Sequence, residues 1–98
     1  MRLHQKGFLL VALSRADSLW DDEIIKMAMA EYGSSGTYWN NTLRVALDEL
    51  AAAGLITRIE EKLALANGHT TLMFRYRLSD FGRTRMLDTG LLSQEKTA

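Results

Sequence analysis

The sequence predicts an α+β fold: three helices, then a two-stranded β-hairpin, then a closing helix. Three observations predict it. Apolar residues recur at three- and four-residue steps between residues 40 and 56, and the pattern stops at Gly54. Residues 70 to 78, TTLMFRYRL, alternate apolar and polar side chains, the period of a half-buried strand. Asn67-Gly68, a turn dipeptide, lies between that run and LITRIEEK at residues 55 to 62.

Ninety-eight residues, 47% of them hydrophobic, suffice for one domain with a single core. That domain is expected over residues 1 to 92, with SQEKTA at 93 to 98 as a polar tail. The chain has no cysteine, which excludes disulfides and thiolate metal sites and makes a reducing compartment the default. The apolar run Phe8 to Leu13 is followed at once by Ser14 and Arg15. It is too short to span a membrane and lacks the cleavage site of a signal peptide. A cytoplasmic protein with no membrane partner is therefore expected. Twelve basic and twelve acidic side chains balance, so composition gives no support to a phosphate-binding role. From Leu55 onward, however, Arg58, Lys62, Arg75, Arg77, Arg83, Arg85 and Lys96 outnumber five acids.

In order along the chain, residues 4 to 15 carry Phe8, Leu9, Ala12 and Leu13, a short apolar first helix. Asp17 and Ser18, in a polar turn, are both able to cap the second helix. Asp21, Asp22 and Glu23 open that helix, where carboxylates suit the positive end of the helix dipole. Consecutive helical positions fan out by about 100°, so the three do not converge on a metal ion. Ile24, Ile25, Ala28 and Met29 form its buried stripe, and Gly33-Ser34-Ser35-Gly36 ends it.

Tyr38 and Trp39 precede the third helix, as a hydrophobic plug or as a platform on which bases stack. Leu43, Ala46, Leu47, Leu50 and Ala53 make one stripe of that helix, with Asn40 or Asn41 as its cap. Asn41, Arg44, Val45 and Asp48 point away from the stripe. Asn41, Thr42 and Arg44 fall in the first two turns, the half a recognition helix presents to base edges.

In the hairpin, LALANGHT forms a protruding loop. Arg75 and Arg77 stand on the outer face beside Arg58 or Lys62, either as a basic ribbon for phosphates or paired with Glu60 and Glu61. Ser79-Asp80-Phe81-Gly82 starts a last helix that runs to about Leu92.

Three helices followed by a hairpin is the winged-helix plan, a variant of helix-turn-helix. The chain resembles winged-helix transcriptional regulators of the PadR and MarR type. FLLVALSRADSLWDDEIIKMAMAEYG is similar to their first two helices, and TLRVALDELAAAGLI to their recognition helix. FRYRLSDFGRTRM resembles their tyrosine-x-leucine-threonine-x-x-glycine-arginine signature, with Tyr76, Leu78, Ser79, Gly82 and Arg83 in those places. Arg44 stands where PadR proteins usually carry a tyrosine.

The resemblance implies a double-stranded DNA-binding module. Thr42, Arg44 and Val45 would face bases, with Tyr38 and Asn41 beside them, and Lys62, Asn67, His69, Arg75 and Arg77 of the wing would approach phosphates. A homodimer is expected, because one module of this size contacts too few bases for tight specific binding. Leu87, Leu91 and Leu92, or Phe8, are its expected interface. The alternative is a winged helix that binds a protein partner and no DNA, through Leu63, Leu65 and Met73 with Trp20 or Trp39. Catalysis is not expected: His4 and His69, the two histidines, lie in different elements without a motif partner. No metal site and no cofactor are predicted.

Overall fold

The computed structural model of the chain describes residues 4–66 and 68–91. Three amphipathic helices, α1 (Gln5–Ser14), α2 (Asp21–Tyr32) and α3 (Thr37–Ala52), close over one face of an antiparallel sheet. Their stripes bury Leu9, Leu10 and Leu13 of α1, Ile24, Ile25 and Ala28 of α2, and Leu43, Ala46, Leu47 and Leu50 of α3. The sheet supplies Ile56, Tyr76 and Leu78, and the last helix, α4 (Asp80–Thr89), supplies Met86. Ala53, the last residue of the predicted stripe, is exposed.

The sheet has three strands in the order β1-β3-β2. β2 (Ile56–Ala66) and β3 (His69–Leu78) form the hairpin, and β1 (Leu19–Trp20) lies against β3 with Leu19 opposite Tyr76 and Trp20 opposite Arg75. A two-residue strand shows no period, so the sequence pattern missed β1. With those residues in the sheet, Asp17 and Ser18 do not cap α2. Trp20 is its N-cap, and the Glu23 carboxylate accepts from the Trp20 N–H at 2.8 Å.

α3 begins earlier than its apolar stripe. Its N-cap is Gly36, at φ 100°, and neither Asn40 nor Asn41 caps it. The Asn40 side chain accepts from Arg44 Nε at 2.8 Å instead. β2 likewise runs beyond Lys62, and Ala66 pairs with His69. The protruding loop is thus strand up to a short connection, in which Gly68 takes a φ of 77°, a left-handed conformation that glycine adopts without steric cost. Asn67 lies outside the described residues. α4 stops at Thr89, with Gly90 left-handed behind it; Leu92 and the tail also lie outside the described residues.

A β-bulge at Ile59 breaks the register between Arg58 and Glu60. Directly opposed residues share a face, so Arg58, opposite Tyr76, points toward α3. Beyond the bulge, Glu60 stands opposite Arg75 on the outer face, whereas Leu63 returns to the α3 side opposite Leu72. Of the two residues expected beside Arg75 and Arg77, Lys62, opposite Met73, shares their face, whereas the expectation for Arg58 is corrected.

The corner between hairpin and α4 gives the signature residues a physical meaning. Ser79 Oγ accepts from the Gly82 N–H at 2.8 Å, and its own O–H has the Gly54 and Leu55 carbonyl oxygens as acceptors, at 2.6 and 2.9 Å. The Ser79 N–H donates to the Leu55 oxygen at 3.1 Å. Gly82 packs so closely here that a Cβ would strike the Leu55 carbonyl. This is a winged helix-turn-helix, with α2 and α3 as the paired helices and β2–β3 as the wing.

Candidate nucleic-acid interface

One ridge of α3 stands clear of the core. Tyr38, Asn41 and Val45 follow at helical spacing, with Tyr38 74% and Val45 54% exposed. Tyr38 meets Trp39 edge-on, with ring centroids 5.7 Å apart. The plug reading is corrected for Tyr38, whose ring faces solvent; Trp39 is half-buried. Asn41 is exposed and no hydrogen bond ties its side chain to the described residues. Thr42 is half-buried, and its hydroxyl donates to the Tyr38 carbonyl at 2.9 Å. Between this ridge and the start of α1 lies an open groove of about 460 Å³, lined by His4, Lys6, Tyr38, Asn41 and Val45 among others. Lys6 bridges the groove's end to Glu49 at 2.9 Å.

Arg44 sits on the flank of the helix and is held there. Its Nη1 donates to Asp21 Oδ2 at 2.6 Å while its Nε donates to Asn40. Asp21 is 1% exposed. The same Oδ2 accepts from the Phe74 backbone N–H at 3.2 Å, and Oδ1 accepts from the Asp22 N–H at 2.8 Å. The carboxylate thus takes the next ladder position after Trp20, and one buried acid joins α2, α3 and the wing. Sequence reasoning placed Asp21 among three equivalent capping acids. The signal that separates it is its position directly after Leu19-Trp20, legible only once those two residues are assigned to the sheet.

The wing's basic residues are engaged to different degrees. Arg58 lies 3.7 Å over the Phe74 ring, and its Nη2 donates to Asp48 Oδ1 at 3.3 Å and Tyr76 Oη at 3.2 Å. Burial pushes the Tyr76 phenol above the ordinary tyrosine value, and the hydrogen bond from Arg58 offsets part of that rise. Arg75 donates to Glu60 at 2.9 Å and to Ser18 Oγ at 2.6 Å. The Lys62 ammonium sits 4.2 Å over the Trp20 ring. Arg77 is exposed opposite Thr57, and no ion pair ties it to the described residues. His69 is exposed at the hairpin end.

The residues expected to form a protein-binding patch do not converge. Leu63 and Leu65, 70% and 77% exposed, lie on the α3-facing side of the wing with Leu72. Met73 faces the other way, with Trp20, and Trp39 belongs to the far end of α3. Among the described residues no group of three or more histidine or acidic side chains is placed to hold a metal ion. No helix among them is long and apolar enough to cross a membrane.

No protein-family model matches the sequence, and no curated protein matches it significantly. Among solved structures the chain is similar to RosR of H. salinarum grown from NaBr, with a TM-score of 0.68 and 19% identity over 97% of this chain and 76% of that one. The complex structure of hsRosR-S1 gives a TM-score of 0.67 and 21% identity, covering 98% of this chain and 75% of that one. At these identities the likeness is one of fold.

Proposed function

We propose that this chain is a DNA-binding transcriptional regulator of the PadR/MarR-like kind, acting as a cytoplasmic homodimer without enzymatic activity. α3 enters the major groove and the wing follows the backbone. The observation that carries this reading is the α3 ridge. Tyr38 and Val45 are exposed, and Asn41 is exposed with its side chain unbonded to the described residues, an arrangement that the core does not need. Arg77 and His69 are the wing groups most available to phosphates. Leu87, exposed on α4, is the best placed of the expected dimer residues. Leu91 packs against the core, and Phe8 meets Tyr32 edge-on at 5.8 Å.

Binding to random duplex DNA, followed by fluorescence anisotropy between about 50 and 200 mM salt, tests the proposal. Phosphate-driven binding gives a log-affinity that falls linearly with log salt. No binding at the low end overturns it.

A second reading has its own support. Arg58, Arg75 and Arg44 are each spent on an acid of the same chain, while Leu63, Leu65 and Leu72 are exposed on one side of the wing. A protein-binding module fits that pattern, and absence of DNA binding would favour it.

A further inference from the structure

The one basic residue in α3 is already engaged within the chain. Arg44 is the sole Lys or Arg between Thr37 and Ala52, and both its Nε and its Nη1 are committed, to Asn40 and to the buried Asp21. Guanine is read chiefly by Arg or Lys donating to its O6 and N7 acceptors, adenine by Asn or Gln bidentate to N6 and N7, and thymine by apolar contact with its methyl group. The exposed ridge offers the second and third of these chemistries and lacks the first. Asn41 presents an amide whose donor and acceptor are unengaged by the described residues, and Val45 presents a branched apolar side chain one turn further on.

Resting on the DNA-binding reading above, we propose that α3 selects A·T base pairs, with Asn41 on an adenine and Val45 on a thymine methyl. Asp21 determines this preference by withholding Arg44 from guanine. Four helical residues advance about 6 Å along the axis, and base steps are about 3.4 Å apart. The adenine and the thymine methyl therefore lie one or two steps apart in the site.

The test is selection from random duplexes with the whole chain, followed by anisotropy on the selected site with altered bases. The expected result is an A·T pair at the contacted positions. Replacing the contacted adenine by 7-deazaadenine should weaken binding about tenfold. Replacing the thymine by uracil, which removes only the methyl, should weaken it about threefold, the scale of one apolar group. The Asn41→Ala variant, which removes an exposed side chain, should bind all bases alike at the adenine position. Selection of G·C at these positions, or duplex binding with no base preference, overturns the inference and leaves the DNA-binding reading standing. No binding to any duplex overturns both.

Discussion

Asp21 and Arg44 meet at 2.6 Å across the junction of α2 and α3, the carboxylate buried and the guanidinium about one-third exposed. The pair does more than join two helices, because the same carboxylate oxygen accepts from the Phe74 N–H of the wing. One carboxylate oxygen thus ties α3 to β3.

Removing either partner should destabilise the fold. In the Arg44→Ala variant a buried carboxylate loses its counter-charge, and about 3 kcal/mol is the expected cost. Asp21→Asn keeps the shape and one acceptor, so its loss should be smaller, about 1–2 kcal/mol. Urea unfolding monitored through the tryptophans measures both. If Arg44→Ala left the midpoint unchanged, the pair would have no structural role. Any loss of DNA affinity in that variant should therefore be weighed beside its stability.

Gly82→Ala should be among the most damaging small substitutions in the chain. The added methyl collides with backbone, the Leu55 carbonyl, and not with the end of a flexible side chain. About 3 kcal/mol is expected, against about 1 kcal/mol for Ser79→Ala, which removes the N-cap acceptor of α4. Thermal unfolding of the two variants checks the order.

Tyr76 makes stability depend on alkaline pH. Its phenol is raised in the folded chain by burial, whereas the unfolded chain ionises it at about 10. The folded state then holds the proton longer than the unfolded state. Its contribution is complete below about pH 10 and is lost as pH rises through the folded value. Tyr76→Phe should flatten that alkaline decline in urea midpoints between about pH 9 and 11. An unchanged decline would assign it to other groups.

Within the wing, Arg77 and Arg75 should behave differently although both are arginines on the outer face. Arg75 is held by Glu60 and Ser18; Arg77 has no ion pair with the described residues. Arg77→Ala should lower the salt slope of DNA binding by about 0.9, one phosphate contact, and Arg75→Ala should leave it nearly unchanged. Equal effects would mean that the Arg75–Glu60 pair opens on DNA.

The helices and the hairpin were legible because each rests on a period: Leu43, Ala46, Leu47 and Leu50 at helical spacing, and Phe74, Tyr76 and Leu78 at spacing two. What the sequence hid depends on long-range geometry. β1 has two residues and exists only through pairing with β3. The Ile59 bulge shifts every later residue of β2 to the opposite face, so no single alternation count places both Arg58 and Glu60 correctly. Arg44 falls at the edge of the outward face by helical angle. Only the position of Asp21, well before it in the chain, turns it into a bridge. Asn41, Val45 and Tyr38 stay where helical spacing put them.

DNA recognition through the α3 ridge is tested most directly by an amide NMR titration of the ¹⁵N-labelled chain with duplex DNA at low salt. Shifts are expected to concentrate on residues 38 to 45, including the Asn41 side-chain amide, and to extend to Arg77 and His69 of the wing. Shifts absent from that ridge, or confined to Leu63, Leu65 and Leu72, would contradict it.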